Sequence, residues 1–191
     1  MIYQFSILLI VTLVVFCAED FNVLRPNCRK PVHRGFEPCN NATSSIRYHM
    51  DPVTLTCLAF KYTGCGGNEN NFKSSSECHV RCLPMDYNTC PANSKPIKKA
   101  DGTHHCPNTI KCEGENVYCS MGFVVGLCCN KKISDQVNAN YAPDCGLGKK
   151  VVEIETNNGW NETLLGKECS ADFCPEKSTC QQGPYFAYCC K

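Results

Sequence analysis

Apolar residues are unevenly spread along the 191-residue chain, and their local patterns predict a few short elements. One continuous apolar run with no charged side chain fills residues 1–18 (MIYQFSILLIVTLVVFCA). Phe60 and Tyr62 alternate with polar neighbours ahead of a Gly64–Cys65 turn, the period of a half-buried strand. Ser74 stands three residues before Glu77, a capping box that opens a short helix. On that helix Cys78 and Cys82 are four apart, so both thiols face one side. Two hairpin signals lie further on: Asp101–Gly102 between IKKA and THHC, and Asn158–Gly159 between VVEIET and WNETLL. Polar stretches at 83–89, with Pro84 and Asn88, and from Asp135 to Asp144, with Pro143, read as linkers.

The apolar run is short for a membrane span and is followed at once by Glu19 and Asp20. Small residues at Val15, Cys17 and Ala18 permit cleavage after Cys17 or Ala18, so residues 1–18 are expected to be a secretory signal peptide. The composition agrees. Of 19 cysteines, loss of Cys17 leaves an even set, which in an oxidising compartment predicts complete pairing and no free thiol. No second long apolar stretch follows and the chain ends CCK, so no membrane or lipid anchor is expected, and localisation should be secreted and extracellular. Nineteen basic against 18 acidic residues give a net charge of +1, which offers no case for nucleic acid as a partner. So many cysteines in so short a chain predict several small disulfide-rich modules, each with too little core to stand without crosslinks.

Cysteines at 57, 65, 78 and 82, with Cys28 and Cys39 upstream and the YTGCGG and NNF segments between, resemble the Kunitz domain, the fold of bovine pancreatic trypsin inhibitor. The resemblance covers residues 28–82. It implies a small α+β module with a twisted β-hairpin of strands 46–51 and 57–63 and a C-terminal helix near 75–82. It also implies the bridges Cys28–Cys82, Cys39–Cys65 and Cys57–Cys78, with Arg47, Tyr48, Phe60, Tyr62 and Phe72 in core positions. The implied activity is inhibition of serine-type endopeptidases by a rigid, substrate-like loop made of Pro38, Cys39, Asn40, Asn41 and Ala42, with Thr63 beside it. Asn40 occupies the primary specificity position. Trypsin-like pockets hold a carboxylate and want Lys or Arg, and chymotrypsin-like ones want a large apolar side chain; Asn40 supplies neither. Asn41 stands where small residues are usual, Glu37 and Thr63 stand where inhibitory members usually have glycine, and the loop is lengthened on both sides of Cys39. Asn41–Ala42–Thr43 is also an N-glycosylation sequon, as is Asn161–Glu162–Thr163. Inhibition of trypsin-like enzymes is therefore not expected to be tight.

The remaining cysteines form two copies of one pattern: Cys90, Cys106, Cys112, Cys119, Cys128 and Cys129, then Cys145, Cys169, Cys174, Cys180, Cys189 and Cys190. Both copies end in the spelling C-x-x-G-x5-C-C. They resemble the lustrin-type cysteine-rich repeats that accompany Kunitz domains in some secreted invertebrate proteins. Two knotted modules of short strands and loops, at 90–129 and 145–190, are expected, with pairings that spacing leaves open.

Other chemistry is thinly supported. His104–His105–Cys106 lacks a spaced second pair of ligands and its cysteine belongs to the disulfide set, so no metal is expected. No cofactor motif, nucleophile elbow or metalloprotease signature occurs, so the chain is not expected to be an enzyme. Arg29, Lys30, His33 and Arg34 form a small basic cluster read as a solvated face. The partner is expected to be an extracellular serine protease, or a matrix or cuticle protein if the module binds without inhibiting.

Overall fold

The computed structural model describes residues 23–39, 42–107, 112–156 and 159–191. The expected signal peptide therefore lies outside the described residues. Strands β1 (Ser45–Asp51) and β2 (Thr56–Tyr62) form an antiparallel hairpin in which Arg47 faces Phe60 and Met50 faces Cys57. Helix α1 (Ser75–Cys82) begins as the capping box requires: the Ser74 hydroxyl accepts from the Glu77 amide at 3.1 Å. The Glu77 carboxylate reaches back to the Lys73 amide, one residue beyond the cap. Cys78 and Cys82 are both fully buried; Cys78 is bridged to Cys57 and Cys82 to Cys28. The hairpin and the C-terminal helix are thus those expected of the Kunitz fold.

Beyond the helix, β3 (His105–Cys106), β4 (Val117–Met121) and β5 (Gly126–Asn130) make a three-stranded sheet in the order β3-β5-β4. The expected hairpin at Asp101–Gly102 forms only as a turn. The Asp101 carboxylate accepts from the Thr103 amide and hydroxyl, and those bonds hold its pKa down to about 2. Residues 97–100 do not become a strand, because Ile97 donates to the Cys128 carbonyl and His105–Cys106 pairs with β5 instead.

The expected linker Asp135–Asp144 is also corrected. Residues Lys131–Tyr141 form helix α2, capped by Asn130, whose side chain accepts from the Ile133 amide. Ile133, Val137 and Tyr141 fall at i, i+4 and i+8, one stripe on an otherwise polar helix. The chain then builds β6 (Glu153–Glu155) and β7 (Asn161–Thr163), the second expected hairpin, of which Asn158 lies outside the described residues. Strands β8 (Leu165–Gly166), β9 (Thr179–Gln182) and β10 (Ala187–Cys190) complete the fold.

These last strands do not form a separate body. One five-stranded sheet runs β1-β2-β8-β10-β9, with β8 docked parallel to β2 where Gly166 meets Ala59. Successive residues of β2 point to opposite faces and enter different clusters. Cys57 and Ala59 join Tyr48, Met50, Phe72, Val152, Leu164 and Phe173, whereas Leu58 joins Val137, Leu165 and Phe186. A Cβ on Gly166 would lie 2.3 Å from the Phe173 ring, so only glycine lets β8 approach this closely. The charged seam follows the same edge. The Asp51 carboxylate, itself accepting from the Thr54 amide and hydroxyl, pairs with Lys167 at 2.8 Å, and Asp172 takes both Lys61 and Arg34. The regions 28–82 and 145–190 therefore share a core.

The two cysteine patterns are bridged identically. Cys90–Cys129, Cys106–Cys119 and Cys112–Cys128 correspond in order to Cys145–Cys190, Cys169–Cys180 and Cys174–Cys189. Each pattern places its adjacent cysteines on a strand, where alternation sends the two thiols to opposite faces and so to different partners.

Candidate functional site

The loop that resemblance marks out leaves the Pro26–Arg29 turn and returns to the sheet at Ser45. Its two ends are held by different means. At the base Asn70, fully buried, accepts from the Met50 amide at 2.8 Å and donates to the carbonyls of Met50 and Lys30 at 2.9 and 2.7 Å. One side chain thereby ties the incoming segment to the hairpin. In the sequence Asn70 counts only as part of the NNF segment that carries the resemblance, and no local pattern assigns its side chain this tie.

Higher up, the incoming segment runs alongside residues 62–66. Phe36 donates to the Cys65 carbonyl at 3.0 Å and Thr63 donates to the Arg34 carbonyl at 2.8 Å. The Tyr62 hydroxyl closes the neighbouring turn on Gly66 at 2.7 Å. Between the strands the fit is tight. Gly35 has φ +96°, and a Cβ there would lie 2.1 Å from the Thr63 hydroxyl and 2.4 Å from the Cys65 carbonyl. Thr63, which resemblance would have as glycine, is thus accommodated by a glycine opposite it. Gly64, at φ +104°, leaves room for Ala42, whose Cβ would stand 2.6 Å from any Cβ added there.

The Cys39–Cys65 bridge crosses this pair with its Cα atoms 5.8 Å apart. Glu37, Pro38, Ala42, Thr43 and Ser44 are exposed, and Cys39 and Thr63 are partly buried beneath them. Asn40 and Asn41 lie outside the described residues, between Cys39 and Ala42. Pro38, Cys39, Ala42 and Thr63 line one open recess together with Glu37 and Ser44. Phe36 stands out at the shoulder of the loop, 61% exposed, with its ring edge-on to His33.

The basic cluster lies at the surface and is also paired there. Lys30 pairs with Glu69, Arg34 with Asp172 and the Ser170 carbonyl, and the Arg29 guanidinium donates to the Leu24 carbonyl. Arg34, at the foot of the loop, therefore fastens it to the C-terminal region. Arg47 lies over the Tyr62 ring, with its guanidinium carbon 5.8 Å from the centroid. The sulfurs of Cys106, Cys112 and Cys119 lie within 4.8 Å of one another, and all three are in disulfides. Asn161, the second sequon asparagine, is exposed at the start of β7. Among the described residues no helix is long and apolar enough to cross a membrane.

Comparison with known proteins places this geometry. Residues 27–83 match the Kunitz/Bovine pancreatic trypsin inhibitor domain. A BPTI/Kunitz inhibitor domain-containing protein of Caenorhabditis elegans is 39% identical over 153 residues, covering 80% of this chain and 83% of its own. A major allergen of Anisakis simplex is 33% identical over 200 residues, covering 98% of this chain and 97% of its own. A Kunitz-type serine protease inhibitor of Hoffmannihadrurus gertschi is 41% identical over 78 residues, covering 41% of this chain and 82% of its own. No solved structure matches the chain significantly. With the domain matched and two relatives aligned over most of their length, the chain belongs to the family of BPTI/Kunitz inhibitor domain-containing proteins.

Proposed function

We propose that the protein is a secreted inhibitor of a serine-type endopeptidase, acting through the loop Pro38–Ala42 with Asn40 as the residue that enters the specificity pocket. Residues 1–18 serve as its signal peptide. The observation that carries the reading is the loop's support: exposed Pro38 and Ala42 stand over a base fixed by Cys39–Cys65, two backbone hydrogen bonds and the Gly35–Thr63 contact. A loop held this way loses little freedom on docking, so more of the contact energy appears as affinity. Relatives whose names carry inhibitor function support this class over a non-inhibitory matrix module.

The specificity follows from the amide. Buried against a pocket carboxylate, Asn40 replaces an ion pair with one neutral hydrogen bond, and in an apolar slot its unpartnered groups cost about 1–3 kcal/mol. The target is therefore a protease whose pocket offers polar, uncharged groups. A glycan on Asn41 would crowd the same docking face. The segments 90–129 and 145–190 act as lustrin-type repeats, the second bearing its glycan at Asn161.

The test is a titration of the oxidised protein, before and after deglycosylation, against trypsin-, chymotrypsin- and elastase-like enzymes. Asn40→Lys is expected to strengthen inhibition of trypsin by at least about tenfold, roughly 1.4 kcal/mol or more. If neither wild type nor Asn40→Lys inhibits any enzyme in either glycosylation state, the loop is not an inhibitory loop.

A further inference from the structure

The chain builds one hairpin twice and covers it only once. In β4–β5 Cys119 faces Cys128; in β9–β10 Cys180 faces Cys189. The shared spelling C-x-x-G-x5-C-C then sets Val124 against Tyr185 and Val125 against Phe186. The tips are even clasped alike. The Asn88 amide donates to the Val125 carbonyl at 2.9 Å, and the Asn140 amide donates to the Phe186 carbonyl at 3.2 Å. A Cβ on Gly122 would meet Asn88, and one on Gly183 would meet Asn140.

What lies over the tips differs. Asn140 belongs to α2, so the β9–β10 tip is sealed by a helix: Phe186 is fully buried, packed with Val137, Ile133 and Tyr185 and edge-on to Tyr141. Asn88 comes from the 83–89 segment, which has no helix to offer. The β4–β5 tip consequently stands bare, with Met121, Phe123, Val124 and Val125 at 43%, 85%, 77% and 45% exposure. Hairpin tips are ordinarily polar, and from Cys119 to Asn130 not one residue is charged. A compact apolar patch of this kind marks an interaction site.

We infer that the β4–β5 tip is a docking surface for an amphipathic helix of a partner protein. The covered twin specifies its chemistry: branched or aromatic side chains at i, i+4 and i+8, as Ile133, Val137 and Tyr141 provide on α2, and no charge on that stripe. The partner helix needs no equivalent of Asn140, since Asn88 already occupies that place. Recognition is of the helix-to-apolar-surface kind, with affinity set by the anchors rather than by salt bridges. The inference is independent of the protease-facing loop.

The probe is a fluorescein-labelled, hydrocarbon-stapled peptide carrying residues 130–142 with Asn140→Ala, titrated by anisotropy into the full oxidised chain. Saturable binding is expected, weakened by at least about tenfold in a Phe123→Ser, Val124→Ser double variant and unchanged in Leu147→Ser, an exposed apolar residue elsewhere. Peptide mapping of the disulfides verifies the fold of each variant. The inference is overturned by no saturation below about 1 mM, by equal affinity in the double variant, or by equal binding of a peptide with Ile133, Val137 and Tyr141 changed to Ser. Two further results overturn it in favour of another occupant. Tip-dependent flotation with phosphatidylcholine–phosphatidylserine vesicles without peptide binding would point to a bilayer. Tip-dependent dimerisation in sedimentation without peptide binding would point to a second copy.

Discussion

Among the described residues of the Kunitz module, Asn70 concentrates more structure than any other single side chain. Its amide faces the Met50 amide and the carbonyls of Met50 and Lys30 at the buried end of the loop. Asn70→Ala is expected to cost about 3 kcal/mol or more, because several buried backbone groups lose partners together. Denaturant unfolding measures this. Asn70→Asp should restore little, since a carboxylate accepts from Met50 but cannot donate to the two carbonyls; full stability in that variant would refute the account. The capping box at Ser74–Glu77 was legible in the sequence because it is a local rule between neighbours. Asn70 was not, because its partners lie 20 and 40 residues away in sequence. The same distance hid Gly35 opposite Thr63: taken alone, Thr63 reads as an obstruction.

At the level of elements, the hairpin β1–β2 and helix α1 were legible from alternation, capping and the four-residue cysteine spacing. Helix α2 was not. Its sequence, KKISDQVNANY, is mostly polar, with three stripe residues too few to stand out and a proline just beyond its end that suggests a linker. It becomes a helix because tertiary packing rewards the stripe: Val137 and Ile133 close the cluster around Leu58 and Phe186, and Asn140 holds the tip. Val137→Ala is expected to destabilise this contact by about 1–2 kcal/mol. Hydrogen exchange should report it locally, as faster exchange at the Tyr185 and Phe186 amides with the β1–β2 amides unchanged. Uniform acceleration across both hairpins would mean that α2 supports the whole molecule instead.

For the whole molecule, the feature least visible in sequence is the seam between β2 and β8. A single parallel contact between Ala59 and Gly166 leaves no pattern, and the ion pairs that flank it join residues more than 100 positions apart. Its chemistry makes the union sensitive to acid. His49, buried near the Asp51–Lys167 pair, has its pKa held below 6.5, chiefly by burial. The unfolded chain therefore takes up that proton first, and stability falls as the pH drops below about 6.5. Burial pushes the Asp51 carboxyl up, but hydrogen bonds from Lys167 and Thr54 outweigh it and leave the pKa below its ordinary value. That contribution is present above the ordinary carboxylate range and is lost as pH falls through the lowered pKa. Thermal melts should accordingly show two acid limbs. His49→Gln should flatten the first and Lys167→Met the second, and a melting temperature that stays level from pH 7 to 5 would sink this assignment.

The bridges also decide how the chain carries a load. Each of the three cysteine sets ends in a link between its first and last member: Cys28 to Cys82, Cys90 to Cys129 and Cys145 to Cys190, with Cα atoms 5.5, 5.5 and 5.7 Å apart. A pull applied at the two ends passes through these three short struts and the segments 83–89 and 130–144 between them, and bypasses everything the struts enclose. Oxidised, the stretch from Cys28 to Cys190 lengthens by drawing out segments 83–89 and 130–144, which uncoils α2 and peels β8–β10 from β2; the contour inside the struts is locked until a thiol reductant opens it. A chain wired in this way behaves under tension as a short tether with hidden length, released by redox chemistry rather than by force.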